Sequence, residues 1–213
     1  VAMLEVEFQC VRAEFARMDC HDIADVMRSR TTQTNEPARC AVLVPVLARL
    51  PQPLALFEVG ASAGLCLLPD KYGYDYGRHV IAAASPTAPV FPCQVNALTP
   101  VPTSHPVVAW RAGLDLNPLR VDVPPDAEWL ETLVWPEHYE RLERLRAAMA
   151  IARQNPPSVR SGSLLTDLIS ATSSRPAGAT LVVFHTAVLS YVLAQSDRDA
   201  FARTVEQTGA VWI

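Results

Sequence analysis

The run Leu54-Ala-Leu-Phe-Glu-Val59, closed by Gly60 and followed by Gly64, constrains the fold of this chain more than any other feature. It is apolar apart from Glu58 and does not alternate, so a strand formed here must be covered on both faces, as inside a parallel sheet. Two comparable runs occupy residues 107–115 and Thr180–Phe184, a weaker strand pattern lies at Ser158–Ser161, and another closes the chain at 210–213. Strand and helix patterns alternate from residue 54 onward. That order predicts an α/β fold: a Rossmann-like open, mostly parallel sheet with helices on both faces and Leu54–Val59 near its centre.

Before that strand, Leu4, Phe8, Val11, Phe15, Met18, Ile23 and Val26 recur at helical spacing and predict one or two amphipathic helices. The polar stretch 31–36 interrupts the pattern, which resumes over 38–50 and stops at Pro51 and Pro53. Residues 1–53 therefore read as an N-terminal helical segment packed on the core, and 54–213 as the Rossmann-like domain. Helices are expected at 64–71, 126–134, 137–153 and 164–170, and after Phe184 to 194 and then over 196–207. Between them, residues 72–106 read as an inserted hairpin, with Tyr72, Tyr74 and Tyr76 on one strand face and 91–98 as the partner. Packing explains those tyrosines without any chemistry. Because the chain stops within a strand pattern, it is expected to be a fragment truncated at its C-terminus.

A 50% hydrophobic content supplies core for one domain, and a net charge of -4 lacks the basic excess of a nucleic-acid binder. A small-molecule or protein substrate is the better expectation. The cysteines are odd in number, far apart and without a C-x-x-C, which argues for reduced thiols and a cytoplasmic protein. No apolar run reaches the ~18 residues of a membrane span, no signal-peptide pattern opens the chain, and the histidines have no metal-ligand spacing.

In open parallel sheets ligands bind beyond the carboxyl ends of the strands, where the strand order reverses. The turn Glu58-Val-Gly-Ala-Ser-Ala-Gly64 is the first such end. Gly60 permits a tight turn and close ligand approach, and Gly64 permits close helix packing. No Gly-Lys-Ser/Thr follows, and the strict G-x-G-x-x-G pattern fails at its second and third glycines. Such a turn also occurs as a plain connection. Glu58, an acid ending an apolar strand, needs a partner or a ligand. Asp115 is either a ligand carboxylate or the start of an Asx-turn with Asn117 and Pro118. His185 is a candidate general base or a histidine satisfied by backbone, with Thr186 and Tyr191 as weaker candidates for the substrate side. The stretch 33–36 either caps a helix from Pro37 through Asn35 or Thr34, or folds over the mouth of the site. Arg141, Arg144 and Arg146 read as a solvated helix face.

The turn resembles the acidic-x-G-x-G-x-G motif of class I S-adenosylmethionine-dependent methyltransferases, with Ser62 in place of the middle glycine. That resemblance implies S-adenosylmethionine lying across Gly60, Ala61, Ser62 and Gly64. Glu58 would hold its amino-acid end, and Asp115 its ribose, with Leu116 alongside. Ser163, in Ser161-Gly-Ser-Leu164, falls where that family often has an aspartate beside adenine. The implied activity is methyl transfer to an unknown acceptor by in-line attack, with His185 as a base only if the acceptor must lose a proton. The alternative is a non-catalytic nucleotide-binding or scaffold module, favoured by Ser62, by Ser163 and by the missing Asn/Asp-Pro-Pro-Tyr motif. Thr32-Gln-Thr-Asn-Glu36, Glu58-to-Leu65, Gly113-Leu-Asp-Leu-Asn-Pro-Leu119, Trp129-Leu, Trp135-Pro-Glu137 and Val183-Phe-His-Thr-Ala187 also resemble an uncharacterised family of bacterial proteins, a domain of unknown function.

Overall fold

Leu54–Val59 (β1) is buried along its whole length and sits in the middle of a five-stranded parallel sheet. These positions belong to a computed structural model that describes residues 20–33 and 35–213. The chain divides into two units, Val1–Gln33 and Thr34–Ile213. Within the first, the described part is helix α1, Cys20–Ser29, where Arg28 pairs with Asp25 one turn earlier at 3.0 Å. The helical expectation for residues 4–19 lies outside the described residues.

In the larger unit, a 3-10 turn at Pro37–Arg39 leads into α2 (Cys40–Leu47), and β1 follows. A small insert carries β2 (Gly73–Asp75), β3 (Val80–Ile81) and β4 (Val90–Pro92). The main sheet continues with β5 (Val108–Asp115), α3 (Pro124–Thr132), α4 (Tyr139–Gln154), β6 (Ser158–Ser161), α5 (Leu168–Thr172), β7 (Thr180–Phe184), α6 (Gln195–Thr208) and β8 (Val211–Trp212). Its strand order is β6-β5-β1-β7-β8, every pair parallel. This is a Rossmann-like open sheet. The chain runs outward from β1 through β5 to β6, then returns to the other side of β1 at β7, so the order reverses between β1 and β7.

Side-chain parity along β1 divides the core. Leu54 and Leu56 join Cys40, Val44 and Leu47 of α2 and Leu145 and Met149 of α4, while Ala55, Phe57 and Val59 join Leu168, Phe201 and Val205 of α5 and α6. Helices thus cover both faces, and each large β1 side chain taken out of water contributes about 1.5–3 kcal/mol. Glu58 shares the parity of Leu54 and Leu56 and so faces the α2 side.

Residues 64–71 do not form the expected helix; only a 3-10 turn, Leu65–Leu67, follows the glycines. Pro69 has no N–H to offer the Leu65 carbonyl, and that carbonyl instead accepts the Tyr72 hydroxyl at 2.9 Å. The insert also differs from a simple hairpin. β2 pairs antiparallel with β3 but parallel with β4. Tyr72, Tyr74 and Tyr76 are buried, and their hydroxyls donate to Leu65, Pro69 and Ala41 carbonyls, stitching the insert to the turn after β1 and to α2. A buried phenol requires such a partner, so the tyrosines are structural. After β7 the chain makes only a 3-10 turn, Val188–Tyr191, before α6. No helix among the described residues is long and apolar enough to cross a membrane.

Candidate functional site

The parallel register places Glu58 beside Gly113 and Phe184, and Asp115 beside Ser161, so all the candidate strand ends share one edge of the sheet. The loop after β1 is held against β5 by Gly60 and Ala61 N–H groups, which both donate to the Leu114 carbonyl at 2.8 and 3.1 Å. Gly60 has a left-handed backbone (φ 71°), as does Gly64 (φ 70°), and Ser62 shares it at φ 50°. A Cβ on Gly60 would lie 2.5 Å from Val188 Cβ, and one on Gly64 would lie 2.7 Å from Pro157 Cγ. The space beside Gly60 is therefore filled by Val188 from the loop after β7. That glycine serves loop conformation and packing against Val188.

Glu58 is 3% exposed, and its Oε2 is buried without a hydrogen-bond partner. Burial pushes its carboxyl well above the usual carboxylate range; Cys66 and Asp115 add to the shift and Arg39 opposes it. An orphaned carboxyl at the end of a central strand carries the desolvation penalty of a polar group with no return from the protein. Below it, Cys40 Sγ donates to the Cys66 carbonyl at 3.6 Å and Cys66 Sγ to the Glu36 carbonyl at 3.5 Å. Both thiols are buried and free, and the hydrogen bond with Cys40, followed by burial, pushes the Cys66 thiol upward, so Cys66 is not primed as a nucleophile.

Residues 35–39 lie across the same edge. Asn35 Nδ2 donates to the Ala61 carbonyl at 3.4 Å, and Glu36, in place of the expected Asn35, caps the following turn by accepting the Ala38 N–H at 3.1 Å, while Thr34 lies outside the described residues. The other Glu36 oxygen pairs with Arg141 Nε at 2.7 Å, so Arg141 belongs to the site's scaffold and not to a solvated helix face. Arg144 is likewise half-buried, whereas Arg146 is exposed beside Glu131. Arg39 Nη1 donates to Thr186 Oγ1 at 2.7 Å. This turn thereby bridges the loop after β1 and the loop after β7, on either side of the reversal in strand order.

Asp115 shows the Asx-turn: its Oδ1 accepts the Asn117 N–H at 2.9 Å. Its Oδ2 accepts the Ser62 N–H at 2.8 Å, which clamps the loop after β1 to the end of β5. Leu116 is 80% exposed at that corner. Ser163 is engaged locally, its Oγ accepting the Leu165 N–H at 3.2 Å and its own N–H donating to Asp167 Oδ2 at 2.8 Å. The His185 ring is half-buried against Trp212, with ring centroids 6.0 Å apart, and its backbone N–H donates to the Ile213 carbonyl at 3.2 Å. Burial lowers its pKa, which keeps the imidazole neutral near pH 7.

The tertiary structure gathers Glu58, Gly60, Ala61, Ser62, Gly64 and Asp115 around one loop, while Ser163 sits beyond β5 in the loop after β6, and His185 packs on β8. Arg39 and the Cys40–Cys66 pair had no functional weight as sequence, whereas Thr186 stood there only as a weaker candidate for the substrate side. An arginine at the start of the apolar stretch 38–50 was the one available signal. Among the described residues no group of three or more His, Cys, Asp or Glu side chains could hold a metal ion. A groove lined by Pro45, Ala48, Arg49 and residues 100–104 offers Arg49 as its sole ionisable side chain.

Fold and site together define an open-sheet α/β protein with a polar site at the carboxyl end of its central strand. The chain belongs to a family described as an uncharacterized protein conserved in bacteria (DUF2332), whose model matches residues 7–213. Searches of curated proteins and of solved structures each returned no match.

Proposed function

We propose that this site binds S-adenosylmethionine and that the protein is a methyltransferase whose acceptor is unidentified. The observation that carries this reading is the orphaned carboxyl of Glu58, buried at the end of the central strand next to the reversal in strand order. A carboxyl in that position fits an ammonium, which returns the hydrogen bond and charge that the protein leaves unmet. Glu58 would take the amino-acid end, the Gly60–Gly64 loop the nucleoside, and Asp115 the ribose edge. When bound, the sulfonium supplies an activated methyl group for in-line transfer, so orientation by the protein carries much of the rate. His185, neutral by burial, can accept a proton from an acceptor that must lose one.

The second reading, a nucleotide-binding or scaffold module without catalysis, draws on a specific observation. No regular helix opens behind the glycine loop, and Asp115 and Ser163 are both engaged by local backbone. Calorimetry with S-adenosylmethionine, S-adenosylhomocysteine, NAD and ATP separates the two. Binding of the first pair alone is expected. No heat with any of the four would replace the methyltransferase reading with the scaffold.

A further inference from the structure

We propose that Arg39 and Glu58 together form a receptor for a zwitterionic α-amino-acid group, Arg39 taking the carboxylate and Glu58 the ammonium. The inference deepens the methyltransferase reading, since S-adenosylmethionine carries such a group, but its chemistry also holds for other ligands with an α-amino-acid end.

An acid and a cation in one site usually pair with each other, and here they do not. No Arg39 nitrogen lies within 4.0 Å of a Glu58 oxygen or of any other described carboxylate, although seven other Arg or Lys side chains make such pairs. Arg39 is half-buried and tied to Thr186, which holds the guanidinium toward the β7 side of the site. Glu58 lies on the β1 side with Oε2 orphaned. Thr186 stands two residues beyond Phe184, the register neighbour of Glu58, so its bond to Arg39 brings the guanidinium to the strand end that carries Glu58 without pairing the two groups.

The turn carrying Arg39 is fixed on three sides. Proline opens it, Glu36 caps it and pairs with Arg141, and Asn35 anchors it to the loop after β1. A planar guanidinium held this way presents a fork that matches a carboxylate, whereas a buried carboxyl lacking a partner matches an ammonium. A phosphate would satisfy Arg39 but would set negative charge against Glu58 and Asp115. Diphosphate nucleotides are therefore disfavoured, and nucleosides without an amino-acid group leave both side chains unused. Thr186 is a positioning residue for Arg39.

The test uses the whole chain and calorimetry with S-adenosylhomocysteine and 5′-methylthioadenosine, which share the nucleoside and differ in the amino-acid group. Arg39→Met and Glu58→Gln are each expected to weaken S-adenosylhomocysteine by about tenfold or more while leaving methylthioadenosine unchanged. Thr186→Val should give a smaller loss of the same kind. It also covers the case in which Arg39→Met fails to fold, a case identified by circular dichroism. If S-adenosylhomocysteine binds the parent and both charge variants equally, the receptor is wrong while the methyltransferase reading survives. If S-adenosylhomocysteine does not bind the parent, the methyltransferase reading falls, and thermal shift with the free L-amino acids decides the receptor. A shift with any of them that Arg39→Met abolishes supports it, and no shift with all of them overturns it.

Discussion

Glu58 and Asp115 end adjacent strands of the same sheet, yet they are opposite in kind. Asp115 accepts backbone N–H groups from two loops and so holds the carboxyl edge together. Glu58 is deeper, and its buried Oε2 accepts nothing. Asp70 makes the same contrast elsewhere, because its half-sheltered carboxylate takes a bidentate pair from Arg111 at 2.8 and 3.0 Å. A satisfied carboxylate contributes to architecture, whereas an unsatisfied one costs stability and points to a ligand. The comparison can be broken or sharpened by substitution.

The largest effect is expected at the loop between the two acids. Gly60→Val forces a β-branched residue into φ 71° and onto Val188, so a loss of about 3–4 kcal/mol is expected from backbone strain plus overpacking. Chemical denaturation measures it, and Val188→Ala in the same chain should recover part of the loss. A Gly60→Val protein as stable as the parent would mean that Val188 does not pack on this turn. Next, Asp115→Ala removes the charged acceptor of the Ser62 and Asn117 N–H groups and should cost about 1.5–3 kcal/mol.

Glu58→Leu should do the reverse. Removing a buried orphan while keeping similar volume is expected to leave stability unchanged or raise it by about 1 kcal/mol, and to abolish ligand binding. Destabilisation as large as that of Asp115→Ala would show that Glu58 is structural after all. The pH dependence carries the same signature. Because the folded pKa of Glu58 lies above its unfolded value, its contribution is fully present below the ordinary carboxylate range and is lost as pH rises through the folded value. Stability of the parent should therefore decline with rising pH across that window relative to Glu58→Leu. Equal slopes in parallel pH titrations of the two proteins would refute this.

The smallest effect belongs to His185, whose folded pKa is lowered by burial. Its contribution is present above the unfolded pKa near 6.5 and is lost as pH falls toward the folded value. His185→Gln should flatten this acid-side slope by less than about 1 kcal/mol, and denaturation midpoints at pH 5 and 7 measure the difference.

Burial on both faces leaves no polar alternation in Leu54–Val59 and Thr180–Phe184, which made those strands legible before any coordinates, and the weaker pattern at Ser158–Ser161, largely exposed at the sheet edge, also forms a strand with the bounds read from the sequence. The glycines after β1 were equally visible, and so was the acid before them. The helix expected over 64–71 was not there, since its fate depended on whether the Leu65 carbonyl would bond along the chain or to Tyr72. Likewise, Asp115 in isolation is compatible with a ligand or with an Asx-turn. The choice rested on where Ser62 arrives. Arg39 is the extreme case: its sequence neighbours are Ala38 and Cys40, while its bonded partner Thr186 lies in the loop after β7, far along the chain. Amino-acid order by itself determined which segments must be buried and which turns they could make, because hydrophobic periodicity and backbone sterics are local. Which carboxyl is satisfied, and which cation stands beside the one that is not, only the tertiary structure decided, because charge and hydrogen bonding act across whatever the fold brings together.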